Sequence, residues 1–134
     1  MESLTTGWIA LALHYVEGVD LADATSLSRL ISAADMIEHA VVSYDEVVAG
    51  LAELAARGWL TIDGSSCALA AAVQPIVATS IEDAGYPSPR AMTEVLGKHA
   101  RFVEPAVPVI DRATFAEATR LYLERLDAIL KKKR

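Results

Sequence analysis

The first forty residues carry the hydrophobic pattern of two helices. Thr5 or Thr6 can cap a first helix that runs through an almost wholly apolar stretch to residue 16, and Gly18 can end it. Because apolar residues surround this helix on nearly every side, we expect it to be buried on more than one side. A second helix is predicted from Thr25 to about His39, where one apolar stripe returns at intervals of three and four residues: Leu27, Leu30, Ile31, Ala34 and Ile37.

A third helix is predicted from a local capping signal. Ser43 and Glu46 match a capping box, in which the hydroxyl and the carboxylate each bind a free backbone N–H at a helix start. The helix should therefore begin near Tyr44, and Gly58 supplies the permissive backbone conformation that ends it. Its inner face comprises Val47, Leu51 and Leu54.

The residues after Gly58 have the pattern of a short β-hairpin. Residues 59–63 alternate as a strand does, residues 64–66 can form a turn, and residues 67–71 can pair back as a second strand. Another helix is predicted from Val73 to Ile81, with Pro75 tolerated because it falls in the first turn.

A break rich in glycine and proline at residues 85–89 marks a boundary between segments 1–83 and 84–134. With Ser88 as its cap, a helix is predicted to run through Phe102. Residues 104–108 should be extended, because each of their two prolines disfavours helix in itself and in the residue before it.

A final helix is predicted to begin at Asp111, or at Thr114 with Glu117 completing a second capping box, and to continue to the terminal lysines. Its apolar stripe is Phe115, Ala118, Tyr122, Leu126 and Ile129. These elements predict a mainly α fold with a small β-hairpin and a C-terminal helical extension.

Charge is distributed very unevenly along the chain. The 134 residues carry a net charge of −6, and 53% of them are hydrophobic. Residues 1–83 hold only Arg29 and Arg57 against twelve carboxylates, a net of −10, whereas residues 84–134 hold ten basic and six acidic groups, a net of +4. The overall acidity argues against generic attachment to nucleic acid or anionic lipid. The two segments should attract. The basic tail 131–134 is interpreted first as a solvated helix end that complements the helix dipole. The alternative is that it docks on the acidic segment, within one chain or across a dimer.

The single cysteine, Cys67, excludes an internal disulfide and suits a reducing compartment. The apolar run 8–13 has no basic leader and is soon followed by His14 and Glu17, so that neither a signal peptide nor a membrane span is predicted. We therefore expect a cytoplasmic protein with no membrane partner.

The order helix, helix, turn, capped helix, Gly-aromatic-Leu and hairpin resembles the winged helix-turn-helix superfamily, as found in bacterial regulators of the multiple-antibiotic-resistance and phenolic-acid types. The resemblance covers about residues 5–83, and its most specific part is LAELAARGWLTIDG at Leu51–Gly64. It implies that the third helix reads DNA and that the protein is a homodimer joined by terminal helices. The implied contact positions are Tyr44, Asp45, Val48, Ala49 and Ala52 on the helix, with Asp63 at the wing tip.

None of those positions offers a cationic or amide side chain to a base or a phosphate. A specific DNA binder makes roughly 6–10 phosphate contacts, which the two arginines of residues 1–83 cannot approach. We therefore expect a non-enzymatic interaction or regulatory module whose acidic third helix and wing contact another protein, with Tyr44 as the strongest candidate for a surface contact. The alternative is a DNA-binding transcriptional regulator that uses other residues.

A second alternative is a small metal-binding domain. Asp35 and His39 lie four residues apart, so that a carboxylate and an imidazole share one helix face, and His14 or His99 would have to complete the site. An ordinary local salt bridge explains the pair equally well. With no recognisable phosphate loop or nucleophile motif, we expect neither an enzyme nor a cofactor. The stripe Tyr122, Leu126 and Ile129 is expected to pack on the first helix or on its copy in a second subunit.

Overall fold

The computed structural model describes residues 4–98 and 107–132. It is mainly helical with a small antiparallel sheet of three strands, which confirms the predicted fold class. In chain order the elements are α1 Leu4–Val16, β1 Val19–Asp20, α2 Ala24–Glu38, α3 Tyr44–Ala56, β2 Leu60–Asp63, β3 Ser66–Leu69, α4 Gln74–Ala84, α5 Pro89–Lys98 and α6 Arg112–Lys132.

The capping box predicted for the third helix is confirmed. The backbone N–H of Glu46 donates to Ser43 Oγ at 3.1 Å, and the N–H of Ser43 donates to Glu46 Oε1 at 3.0 Å. This signal is local, because all its atoms lie within one turn of the chain. The helix accordingly begins at Tyr44, as predicted.

An aspartate acts as the cap at two other helix starts, and at the first of them it moves the start away from the predicted residue. Asp23 accepts from the N–H of Thr25 at 3.3 Å, so that α2 begins at Ala24 and Thr25 lies inside it. Asp111 accepts from the N–H of Thr114 at 3.1 Å. Of the two starts considered for the last helix, the one at Asp111 is therefore correct. Glu117, expected to complete a second box, pairs instead with Arg120 in the next turn.

The predicted hairpin is present, and it gains a third strand that the sequence pattern did not predict. The sheet has the order β1-β3-β2, with Val19 opposite Cys67 and Asp20 opposite Ser66. Ser65 anchors this edge, because its carbonyl accepts from the N–H of Leu21 at 2.8 Å and its hydroxyl donates to Asp20 Oδ1 at 2.6 Å. A strand of two residues is too short to leave a periodic signal.

The fourth helix runs from Gln74 to Ala84 and extends past the predicted end at Ile81, to a left-handed Gly85 at φ 82°. Pro75 lies in its first turn, as predicted. The helix that begins at Pro89 is described as far as Lys98. Its predicted continuation to Phe102, and most of the extended segment 104–108, lie outside the described residues.

Helix α1 lies at the centre of the core, which confirms its expected burial on several sides. Every residue from Thr6 to Leu13 is buried. Its neighbours approach closely at two glycines: a Cβ added at Gly7 would lie 2.5 Å from the carbonyl oxygen of Pro89, and one added at Gly50 would lie 2.5 Å from Ile9 Cγ1. The close packing of α5 and α3 on α1 therefore depends on these small residues.

The acidic segment 1–83 and the basic segment 84–134 both contribute to one hydrophobic core. α5 packs on α1, and α6 packs on α2. The residues that the second segment adds are Met92, Leu96, Ile110, Phe115, Ala118 and Tyr122. The boundary at residues 83 and 84 thus separates two segments of different charge that share a common interior. Among residues 4–98 and 107–132, no helix combines the length and apolarity needed to cross a membrane.

Candidate functional site

The predicted contact face of α3 is exposed along most of its length. Asp45, Val48, Ala49 and Ala52 follow one another at helical intervals, so that they share one side of the helix. Asp45 and Ala49 are exposed, Val48 is 38% exposed, and Ala52 is half-buried. Asp63 is exposed at the end of β2. The face therefore combines an apolar centre with carboxylates at its start and on the wing.

Tyr44, the strongest candidate for a surface contact, is instead engaged within the chain. Its hydroxyl donates to the carbonyl of Ile110 at 2.8 Å, and its ring packs edge-on against Phe115 with the ring centres 5.6 Å apart. The Arg112 guanidinium lies 4.2 Å from the ring centre. Tyr44 thus ties the start of α3 to the start of α6, and it is not free to anchor a partner.

The segment leading into α6 forms the second wall of a groove on α3. Residues 107–110 lie across from Tyr44, Val48, Leu51 and Ala52, and the space between them is about 260 Å³. Val109 stands almost fully in solvent, at 92% exposure. This wall was not predicted, because nothing in the local sequence links residues 107–110 to a helix more than fifty positions earlier.

Arg57, one of the two arginines in residues 1–83, is buried. Its side chain is 2% exposed, and Nη1 donates to the carbonyl of Leu96 at 3.0 Å. Nε lies 3.8 Å from Glu53 Oε2, and burial lowers the pKa of the guanidinium. Arg57 therefore joins the end of α3 to α5 and cannot reach a phosphate. Arg29, on α2, is the exposed arginine of this segment.

One cation from the C-terminal segment comes close to the start of α3. Arg112 Nη2 lies 3.7 Å from Asp45 Oδ1, and both side chains are largely exposed. Exposed ion pairs of this kind contribute little to stability. At the other end of α6, Lys131 Nζ is 3.1 Å from Asp127 Oδ2 of its own helix. That lysine therefore pairs locally, and Lys133 and Arg134 of the proposed docking tail lie outside the described residues.

The apolar stripe on α6 that is predicted to pack on the first helix or on a second subunit lies partly in the core and partly in solvent. It comprises Tyr122, Leu126 and Ile129. Tyr122 is 7% exposed, and its hydroxyl donates to Asp35 Oδ2 on α2. Arg125 Nη2 donates to Ser28 Oγ at 2.8 Å on the same helix. Leu126 is partly buried and Ile129 is 47% exposed. The stripe therefore packs on α2 of the same chain, not on α1 as expected, and only its last part is open to a second subunit.

The Asp35 and His39 pair does not form a site in this arrangement. Asp35 accepts the hydroxyl of Tyr122, while His39 ends α2 in an exposed left-handed conformation at φ 56°. His14 lines a different depression with Glu17 and Gln74, and His99 lies outside the described residues. Across the two described ranges, no three His, Cys, Asp or Glu side chains are grouped so that they could hold a metal ion.

Comparisons with models of protein families, with curated proteins and with solved structures find no match for this chain.

Proposed function

We propose that the chain is a non-enzymatic regulatory module of the winged-helix type that contacts another protein through the exposed face of α3 and the tip of the β2–β3 hairpin. The proposal is supported by the order of α1, α2, the capped helix α3 and the β2–β3 hairpin, in which β1 lies between α1 and α2. The observation that carries the proposal is the chemistry of the α3 face, with an apolar centre at Val48, Ala49 and Ala52 and a carboxylate at Asp45.

Charge supports a protein partner over DNA. The burial of Arg57 leaves Arg29 as the exposed arginine against the twelve carboxylates of residues 1–83. A duplex binder needs roughly 6–10 cationic phosphate contacts. Arg112, a cation at the start of α3, lies over Tyr44 and beside Asp45, where a phosphate would meet the carboxylate as well. The partner that fits presents an apolar ridge bordered by lysine or arginine.

A photo-crosslinking residue placed at Ala49 tests the protein contact in the cells that make this chain. We expect one discrete adduct from Ala49 and none from Thr79, an exposed position on α4. Asp45→Asn should weaken the adduct, whereas Asp83→Asn, the same change at an exposed site on α4, should not. Identical adducts from both crosslinker positions, or equal effects of both substitutions, would contradict the proposal.

The alternative, a DNA-binding regulator, makes an opposite prediction. A library of random duplexes, selected for binding at low salt, would then yield an enriched sequence whose affinity falls steeply as salt is added. We expect no enrichment. A sequence-dependent complex that is lost in Arg112→Gln and retained in Arg90→Gln would overturn the assignment to a protein partner.

We further propose a homodimer that pairs through the C-terminal half of α6. Beyond Tyr122 this helix exposes Leu123, Ile129 and Leu130, with Leu126 partly buried beside them. Unpartnered leucines on one amphipathic helix favour pairing with a second copy, because pairing removes their apolar area from water. Sedimentation should show a dimer that Leu123→Lys dissociates and Val41→Lys, at another exposed apolar position, leaves intact. A wild-type monomer at high concentration would refute this pairing.

A further inference from the structure

The outer side of α2 carries an apolar groove that the proposed function does not use. Its volume is about 460 Å³, and it is lined by Tyr15, Arg29, Ser32, Met36, Ile37 and Pro87. Met36 is 76% exposed and Tyr15 is 51% exposed. Large apolar side chains thus lie in solvent around a cavity of the size that small molecules occupy.

The groove contains a positively charged side chain within an acidic part of the sequence. Arg29 is an exposed cation in a segment of net charge −10. Within the described part of the chain, no carboxylate lies within ion-pair distance of its guanidinium. The neighbours of Arg29 one turn away on α2 are Thr25, Ser26, Ser32 and Ala33, none of which is acidic. The cation is therefore available to a bound anion.

The groove has a polar end and an apolar end. Arg29, Ser32 and Met36 are separated by three and four residues, so that they form one stripe along α2. With a rise of 1.5 Å per residue, the seven steps from Arg29 to Met36 span about 10 Å. The guanidinium and the Ser32 hydroxyl can donate hydrogen bonds at one end, while Met36 and Pro87 supply apolar surface along the groove.

We propose that this groove binds an unbranched aliphatic carboxylate of medium chain length. The carboxylate would accept from Arg29 and Ser32, since a guanidinium presents paired donors that match the two oxygens of a carboxylate. The chain would lie over Met36 and Tyr15, because the flexible thioether of methionine adapts to alkyl surfaces. A monoanion fits better than a polyanion, which the net charge of −10 on residues 1–83 would repel more strongly. The groove, about 10 Å long, also offers too little surface for a stable protein interface, which buries more than about 1,000 Å².

Isotope-labelled methionine methyl groups provide a direct test, independent of the proposed protein partner. The chain has three methionines; Met36 lines the groove, and the fully buried Met92 serves as an internal reference. Titration with octanoate should move the NMR signal of Met36, identified by its absence in Met36→Leu, and leave that of Met92 in place. Affinity should rise roughly fourfold for each methylene added between hexanoate and octanoate.

The role of Arg29 is tested with octanol, which has the same chain and no charge. In the wild-type protein octanoate should bind up to about fivefold more tightly than octanol, the range of an exposed ion pair. Arg29→Gln should remove that difference without changing octanol binding, and Arg90→Gln, the same change at another exposed arginine, should preserve it. Equal binding of octanoate and octanol to the wild type, equal effects of the two variants, or a static Met36 signal would overturn the proposal.

Discussion

The hydroxyl of Tyr122 offers a direct test of how α6 is attached to α2. In Tyr122→Phe the ring keeps its packing, while the hydrogen bond to the Asp35 carboxylate is lost. A hydrogen bond to a charged group contributes about 1.5–3 kcal/mol. Because Asp35 is only partly buried and can regain water, we expect the free energy of unfolding to fall by about 1–2 kcal/mol at neutral pH.

The burial of the Tyr122 hydroxyl, together with this bond, should make stability depend on pH in the alkaline range. Burial, followed by the hydrogen bond and the charge of Asp35, raises the pKa of Tyr122 to about 12, from an ordinary value of 10.0. A folded pKa above the unfolded one gives stability that is fully present below the unfolded value and is lost as pH rises through the folded value. The difference corresponds to about 2–3 kcal/mol, lost between about pH 10 and 12.

Urea unfolding followed by the fluorescence of the buried Trp8 and Trp59 measures both effects. The difference in unfolding free energy between the wild type and Tyr122→Phe should be constant below about pH 10 and shrink as pH approaches about 12. Tyr86→Phe is the matched control, because Tyr86 is exposed and its variant should stay within about 0.5 kcal/mol of the wild type. A Tyr122→Phe variant as stable as this control, or a difference that does not shrink at high pH, would refute the reasoning.

Three further predictions follow from packing, capping and burial. Gly50→Ala should lower the free energy of unfolding by about 1–3 kcal/mol, because the added methyl group overpacks against Ile9. Gly97→Ala, where an added Cβ meets open space, should be neutral or stabilising. Equal effects of the two substitutions in urea unfolding would contradict the close contact at Gly50. Ser43→Ala should lower the free energy of unfolding by about 1 kcal/mol, because α3 loses its cap. An unchanged midpoint of urea unfolding would show that water replaces the Ser43 hydroxyl. Cys67 is buried, and burial raises the pKa of its thiol to about 11. A thiol reagent at mildly alkaline pH should therefore label Cys67 only as fast as the chain unfolds. Prompt stoichiometric labelling of the native protein would contradict this burial.

A helix start could be predicted where the residues that mark it lie within a single turn of the chain. The Ser43 and Glu46 box lies within four residues, and its hydrogen bonds need nothing from the rest of the fold. The starts of α2 and α6 were less certain, because an aspartate and a threonine compete for the same free N–H groups. Local chemistry thus fixes the presence of a helix, while the choice between adjacent caps shifts its boundary by a residue or more.

Contacts between distant parts of the chain could not be predicted. β1 exists because Val19 and Asp20 pair with β3, and two residues leave no hydrophobic period. Tyr44 looked exposed at the start of its helix, but its partners Ile110, Arg112 and Phe115 come from the far end of the sequence. The same holds for Tyr122, because its partner Asp35 lies 87 positions earlier in the chain.

The sequence by itself determined the helical pattern, the hairpin and the strong asymmetry of charge, because these depend on residue identity and short-range spacing. Only the tertiary structure decided which charges and apolar groups remain available. It buries Arg57, leaves Arg29 exposed beside Met36, and turns Tyr122 inward. Burial is set by the packing of α5 and α6 on α1 and α2, and that packing joins residues whose separation along the chain leaves no local signal.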